Sequence, residues 1–232
     1  RQRQMCIRDR YRSSKLKIGN FKLFKLLINK LQIPQRWKKR LIKFFWNEKY
    51  FSELLKRLES NLDIDPVAVA GDKKMYSKMI KSNRKKIING RSYKEIIKRF
   101  ESKINDPRQS ETGKKSAKII KEFLKIKCSL NNAPNILNKF FKKYDLNIFV
   151  NKDFFPIKNL KIKDTKFEFS TSIGRGREVE FYNSLIFSLD VKKKNKFVNL
   201  ISGGRFDELT SKYLGLKKVP AVGAAVNLSN YE

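Results

Sequence analysis

Residues 201–209 read ISGGRFDEL, and residues 219–226 read VPAVGAAV. The two glycines of the first stretch predict a sharp turn. An apolar run over 197–201 precedes that turn and predicts a strand, and apolar side chains at helical spacing follow it. A last run of small apolar residues over 221–228 predicts a final strand. The C-terminal part of the chain is therefore expected to contain strands with a short helix between them.

Upstream of this stretch, apolar and polar residues alternate around Phe167 and over 179–189, which is typical of strands. Strands joined by short turns favour an antiparallel sheet. Before about residue 145 the apolar spacing is that of helices instead, beginning at Phe21 after Gly19 and Asn20. Within this region the sequence predicts a loop or strand end over 68–71, a capping box of Ser92 and Glu95, and a helix over 113–130. The segment Gly174 to Arg177 lacks the spacing of a phosphate-binding loop and predicts a turn.

These patterns divide the chain into four parts. The first is Arg-rich, unlike the Lys-rich remainder, and resembles a translated sequencing adapter or a disordered arm. The predicted parts are an excluded segment over 1–13, a core helix over 14–33, a helical region over 34–150, and a sheet region over 151–232.

The GGRFD element followed by PAVG resembles the last part of the catalytic fold of histidyl-tRNA synthetases. That family includes a non-catalytic branch, the regulatory subunit of ATP phosphoribosyltransferase. Residues 18–41 resemble a pattern of that branch, with Asn20 where the branch has Asp. The resemblance implies an α+β fold: the C-terminal part of a class II aminoacyl-tRNA synthetase-like antiparallel sheet with a largely helical insertion.

Two replacements argue against synthetase activity. Phe206 stands where the synthetases have a tyrosine hydroxyl, and Asn230 stands where they have an ATP-binding arginine. A neutral amide cannot replace a guanidinium in stabilising charge on transferring phosphates. The resemblance therefore implies a chain that is not an enzyme.

A histidine-like effector pocket is also implied by the resemblance. Arginine suits such a pocket because its planar fork binds carboxylates in a bidentate manner. The predicted pocket residues are Arg177, Glu180, Tyr182, Gly203, Gly204, Arg205 and Phe206.

The composition limits other kinds of chemistry. The chain has 232 residues, two cysteines and no histidine, so disulfide frameworks, Cys/His zinc sites and Ser-His-Asp catalysis are excluded by count. No metal and no cofactor are expected. No apolar run is long enough for a membrane span, and no segment has the form of a signal peptide, so a cytoplasmic location is expected.

The net charge of +33 comes from 55 Lys and Arg against 22 Asp and Glu. One interpretation is a polyanionic partner, and the other, which we favour, is the compositional bias of an AT-rich genome, because the lysines are spread over the whole chain. We therefore expect no specific nucleic-acid partner.

The resemblance implies a regulatory subunit that binds and activates a short-form ATP phosphoribosyltransferase catalytic subunit in the first step of histidine biosynthesis. It also implies histidine as an effector and a dimer of this chain within a hetero-oligomer. Two alternatives remain open: a fragment of a histidyl-tRNA synthetase, and a basic RNA-binding protein.

Overall fold

The structure is a computed structural model, and it describes residues 13–60, 66–82, 92–104, 110–155, 162–176, 181–193, 196–215 and 219–230. The segment over 1–12 lies outside the described residues. Within these ranges the chain contains eight α-helices and six β-strands. None of the described helices is both long enough and apolar enough to cross a lipid bilayer.

The described residues form two compact units. We call the residues from Arg1–Lys30 and Ile120–Glu232 the sheet unit, and those of Leu31–Ile119 the helical unit. The six strands all lie in the sheet unit: β1 Ser14–Asn20, β2 Lys127–Ser129, β3 Thr165–Ser170, β4 Leu185–Lys193, β5 Lys196–Arg205 and β6 Val222–Val226. The helices are α1 Phe21–Lys30, α2 Gln35–Lys43, α3 Glu48–Glu59, α4 Pro66–Ser82, α5 Tyr93–Ile104, α6 Ser110–Leu124, α7 Ala133–Lys143 and α8 Asp207–Leu214.

The strands form one sheet in the order β2-β3-β1-β4-β5-β6. Four neighbouring pairs are antiparallel, as the sequence predicts, but β1 and β3 are parallel. This pair corrects the expectation of a purely antiparallel sheet. Parallel strands require a long crossover connection, and the segment between β1 and β3 is long enough to provide one.

The first strand also corrects the predicted helix over 14–33, because residues 14–20 form β1 and the helix begins only at Phe21. Leu16 and Ile18 are buried, whereas Lys15 and Lys17 point to the other face with half-exposed side chains. Asn20 ends the strand, and its Oδ1 accepts a hydrogen bond from the backbone N–H of Lys22 at 2.9 Å in the first turn of α1.

Aromatic rings fill the core of the sheet unit. Phe24 of α1 and Phe123 of α6 are fully buried, with ring centroids 6.3 Å apart. Phe123 also contacts Phe140 and Phe141 of α7 at 5.8 and 6.2 Å. These rings are brought together by the 3.6-residue period of each helix, which puts its apolar side chains on one face.

Two further predictions are corrected in the helices. Residues 68–71, predicted as a loop or strand end, lie inside α4. The helix predicted over 113–130 is α6, which ends at Leu124, and β2 follows it. The capping box at the start of α5 is confirmed: Ser92 Oγ accepts from the Glu95 backbone N–H at 3.3 Å, and Glu95 Oε2 accepts from the Ser92 N–H at 3.0 Å.

The sequence predicts a turn at the double glycine, but the structure places Gly203 and Gly204 within β5. Gly203 and Gly204 pair with Phe187 and Ile186 of β4 on one side and with β6 on the other. A Cβ on Gly203 would lie 2.4 Å from the carbonyl oxygen of Gly223 and 2.6 Å from the Phe187 ring. Glycine is therefore required by the close approach of neighbouring atoms and not by a turn.

We expect Gly203→Ala to lower the free energy of unfolding by about 1–3 kcal/mol, because the added methyl group meets backbone atoms that cannot move aside cheaply. Gly71→Ala is the matched control: it lies in α4 with nothing within 4 Å of its Cβ position, and alanine should stabilise the helix there by about 1 kcal/mol. Urea unfolding followed by circular dichroism measures both changes, and an unchanged midpoint for Gly203→Ala would contradict the strand assignment.

Candidate functional site

The structure describes five of the seven predicted pocket residues, while Arg177 and Glu180 lie outside the described residues. Three of the five, Tyr182, Gly204 and Phe206, contact one another at the end of β5, and Arg205 lies between the last two in the chain. The Tyr182 ring packs over Gly204, where a Cβ would be 2.8 Å from its Cδ1 atom, and its centroid is 6.3 Å from that of Phe206. The fifth residue, Gly203, has its Cβ position directed at Phe187 and so faces the opposite side of the sheet.

The sequence missed one member of this aromatic group. Phe181 has its ring centroid 4.5 Å from that of Tyr182 and 5.8 Å from that of Phe206. The predicted strand over 179–189 places Phe181 on the core face, but β4 begins only at Leu185 and Phe181 lies in a turn before it. Burial within this group raises the pKa of the Tyr182 hydroxyl, so the hydroxyl stays protonated and able to donate a hydrogen bond near neutral pH.

Arg205 is positioned by Asp207 at the start of α8. Its Nε atom lies 2.7 Å from Asp207 Oδ2, and Asp207 Oδ1 accepts a hydrogen bond from the backbone N–H of Ala221 at 2.8 Å. Burial alone would raise the pKa of Asp207, but the Ala221 N–H and the Arg205 guanidinium outweigh it and hold that pKa below its usual value. The carboxylate therefore stays ionised, and it fixes the direction of the Arg205 side chain.

Asn183 adds a polar group next to the aromatic rings. Its backbone N–H donates to the carbonyl oxygen of Arg205 at 3.0 Å, which joins the segment before β4 to the end of β5. Its side chain is buried, and among the described residues nothing donates a hydrogen bond to its Oδ1 atom. A buried acceptor without a donor is unfavourable, so this atom suits a ligand N–H group. We call Tyr182, Asn183, Arg205 and Phe206 the aromatic pocket.

A second polar cluster lies on the same sheet, in a groove of about 480 Å³. We call it the polar groove, and its principal side chains are Lys17 of β1, Lys127 of β2, Arg175, Ser188 and Asp190 of β4, and Asn199 of β5. Residues 171–176 form the predicted turn, with positive φ angles at Gly174 and Gly176. That turn brings Arg175 to the groove, and no sequence pattern pointed to this residue.

Asp190 is at the centre of the polar groove and is mostly buried. It accepts hydrogen bonds from Lys17 Nζ at 2.5 Å, Ser188 Oγ at 2.9 Å and Asn199 Nδ2 at 3.1 Å. Burial by itself raises the pKa of Asp190, but these three donors and the Lys17 charge outweigh it and hold the pKa below its usual value. The only sequence signal for this cluster was the pair of polar residues, Ser188 and Asp190, on one face of an otherwise apolar strand.

Asn230, the residue at the position of the synthetase arginine, has a structural role. Its Nδ2 atom donates to the backbone carbonyl of Asn199 at 2.8 Å. The contact attaches the end of the described chain to β5. Within the described ranges, no group of three or more acidic or cysteine side chains is arranged to hold a metal ion.

No protein-family model matches the chain. Curated relatives do match. The ATP phosphoribosyltransferase regulatory subunit of Brucella anthropi is 23% identical over 245 residues, which cover 98% of this chain and 64% of the relative. That of Allorhizobium ampelinum is 27% identical over 232 residues, which cover 93% of this chain and 61% of the relative. The chain thus spans less than two thirds of the length of these relatives.

Among solved structures, a histidyl-tRNA synthetase from Nostoc sp. aligns with this chain at a TM-score of 0.49 and 18% identity, covering 94% of this chain and 40% of the synthetase. The resemblance to ATP phosphoribosyltransferase regulatory subunits, first seen in short elements, extends over nearly the whole chain and is confirmed by the curated relatives.

We expect Lys17→Met to lower the free energy of unfolding at pH 7 by about 2 kcal/mol, because it leaves the buried Asp190 carboxylate without its cation. Lys15→Met, on the same strand face, removes a 3.9 Å contact to Glu168 and a cation–π contact of 4.1 Å with the Phe197 ring, both at a partly exposed side chain. It should change the free energy of unfolding by less than about 1 kcal/mol. Adding Asp190→Asn to Lys17→Met should recover part of the loss in a double-mutant cycle followed by urea unfolding.

The lowered pKa of Asp190 also sets a pH dependence. Its contribution is complete above the ordinary carboxyl pKa of about 4 and is lost as the pH falls through the lower folded-state pKa. As the pH falls below about 5, the native chain should therefore lose more stability than the Asp190→Asn variant. Parallel curves for the two proteins would show that Asp190 is not ionised in the folded state.

Proposed function

We propose that this chain is part of a regulatory subunit of ATP phosphoribosyltransferase. In this proposal it does not transfer the phosphoribosyl group itself. It binds and activates a short-form catalytic subunit in the first step of histidine biosynthesis and takes part in feedback by histidine. The observation that carries the proposal is the match to curated regulatory subunits over 93% to 98% of the chain.

The charges of the aromatic pocket support a non-catalytic role. Arg205 is held by Asp207, and the amide at position 230 is bonded to the β5 backbone. The described part of the pocket therefore has no cluster of cations of the kind that phosphoryl transfer requires. The chain also has no histidine for acid–base chemistry at neutral pH.

The aromatic pocket is the proposed effector site, together with Arg177, Glu180 and Gly204 from the sequence analysis. Gly203 is not part of it, because its Cβ position faces the other side of the sheet. A histidine ligand has three groups that suit it. Its carboxylate suits an arginine, its imidazole ring can pack against Tyr182 and Phe206, and a ring N–H can donate to the buried Oδ1 of Asn183. Glycine at position 204 leaves the space that the Tyr182 ring occupies.

Regulation then requires a coupling free energy between this pocket and the active site of the partner. Histidine must bind with different affinity to the activating and inhibited states of the complex, because a ligand that binds both states equally well does not shift the equilibrium between them. The proposal includes a second copy of the chain within the complex, which the resemblance implies, and a cytoplasmic setting, which is the expectation from the sequence.

The first test is co-expression of the complete protein with a short-form ATP phosphoribosyltransferase catalytic subunit from the same genome. We expect the two to co-purify, and we expect phosphoribosyl transfer to ATP to depend on this protein. Histidine-dependent exchange of pyrophosphate into ATP by the protein alone would identify a synthetase instead, and the absence of any complex would remove the proposal.

The second test is calorimetry of histidine binding to the complex. We expect Tyr182→Ala to weaken binding at least about fivefold, because the ring that packs against imidazole is lost. Tyr213→Ala is the matched control, since Tyr213 is 81% exposed on α8 and should have no effect. Equal affinities for the native protein and Tyr182→Ala would exclude the aromatic pocket as the effector site while leaving the regulatory role intact.

A further inference from the structure

A second cavity lies in the helical unit and does not depend on the proposed function. We call it the basic cleft. It has a volume of about 1020 Å³ and is lined by residues of α2, α3, α5 and the segment after α2. Seven of its lining residues are lysine or arginine, and one, Glu95, is acidic. Cations outnumber carboxylates seven to one in the cleft, against 55 to 22 in the chain as a whole.

The cations of α2 form a row along one face of that helix. Arg36, Lys39, Arg40 and Lys43 have the spacing i, i+3, i+4 and i+7, which places them side by side over about 10 Å. The opposite face carries the buried Trp37 and Leu41. Like charges at this spacing destabilise a helix, so the row is unfavourable in the unbound chain.

Part of this positive charge has no carboxylate partner among the described residues. Glu95 accepts from the Ser92 N–H as part of the capping box, and Lys103 of the cleft pairs with Asp72 at 2.5 Å. Among the described residues, no ion pair involves Lys39, Lys43 or Arg99. The cleft therefore contains cations that an anion from outside the chain can neutralise.

Some of the cations are held in place by aromatic contacts. The guanidinium groups of Arg36 and Arg40 lie 5.3 and 5.8 Å from the centre of the Trp37 ring. Arg40 also donates to the Tyr50 hydroxyl at 2.8 Å. These contacts limit the freedom of two long side chains and so reduce the entropy that binding would lose.

Aromatic rings also line the cleft. Phe44 and Tyr50 are in edge-to-face contact, with centroids 4.5 Å apart, and Phe100 lies on the α5 side. Tyr50 is 38% exposed, so one of these rings is accessible to a ligand. A positively charged groove with accessible aromatic rings is the combination that binds single-stranded nucleic acid, in which the cations contact phosphates and the rings stack on bases.

We propose that the basic cleft binds single-stranded nucleic acid through its phosphate backbone and through base stacking, without sequence preference. A free polyphosphate would use the cations alone and leave the rings without a role. An acidic protein surface would do the same. The row of cations, longer than a single phosphate contact needs, fits a chain of phosphates.

The test uses the whole chain and a short, fluorescein-labelled oligo-uridine RNA, with binding followed by fluorescence anisotropy at about 150 mM salt. The variant Lys39→Glu/Arg99→Glu reverses two exposed charges of the cleft. We expect it to weaken binding at least about tenfold, and to reduce the slope of log affinity against log salt by about 1.4 or more, because two phosphate contacts are lost.

The matched control is Lys139→Glu/Lys142→Glu, which makes the same change in net charge at exposed positions of α7 in the sheet unit. It should weaken binding less than about threefold. An equal loss in both double variants would show attraction to the net charge of the chain and would overturn the proposal. Unchanged circular dichroism, and unchanged emission from the buried Trp37 and Trp46, would establish that each variant is folded.

A second comparison separates nucleic acid from free phosphates. Tyr50→Ala should weaken RNA binding about tenfold through lost stacking and leave inorganic polyphosphate binding unchanged. Tyr50→Phe keeps the ring but loses the Arg40 contact, so it should bind RNA nearly as well as the native chain. If Tyr50→Ala has the same effect on both ligands, or no effect on RNA, the cleft recognises phosphate alone and the proposal is wrong.

Discussion

The sheet depends on the insertion of β1 between β3 and β4. In this arrangement Leu16 pairs with Phe167 on one side and with Leu189 on the other, although these partners lie more than a hundred residues away in the chain. Closing so long a loop loses entropy, and the two complete ladders of β1 offset that loss. Without β1, both β3 and β4 would have an unpaired edge.

The sheet around β1 also sets the locations of the polar groove and the aromatic pocket. On one face, Leu16 and Ile18 belong to the buried core, while Lys17 on the other face meets Asp190. The irregularity in the β4–β5 ladder at Leu189 and Asp190 lies at this point. The aromatic pocket lies farther along the same two strands, where the chain enters β4 and leaves β5. The ladder therefore sets the separation of the two clusters, and hydrogen bonds of Asn199 and Asn183 attach neighbouring segments to it.

The extent to which the sequence predicts this structure follows from the range of the interactions involved. Helices such as α1 and α7 were predicted because one local stripe of apolar residues faces the core. The strand β1 was missed because the alternation of its lysines with Leu16 and Ile18 is short. Its pairing partners are also distant in the chain, so no local pattern identifies the strand. Gly203 was mistaken for a turn because the reason for glycine is the carbonyl of Gly223 and the ring of Phe187, which no local pattern reveals. The polar groove was missed because its members come from four strands and a turn, whereas most of the aromatic pocket was found through a resemblance.

The positive charge shows the same dependence on three-dimensional context. Counted along the sequence, the lysines are spread widely, and a bias in composition accounts for them. In the sheet unit, the acidic residues discussed above have cationic partners: Asp190 with Lys17, Asp207 with Arg205, and Glu168 with Lys15. In the basic cleft, cations gather along one helix face with a single carboxylate among them, and that carboxylate caps a helix. Ion pairs occur in the helical unit too, as between Lys103 and Asp72, so what distinguishes the basic cleft is the row of cations on one face of α2 together with accessible aromatic rings. That combination, and not the total charge of the chain, is what favours an anionic ligand with stacking groups at the cleft.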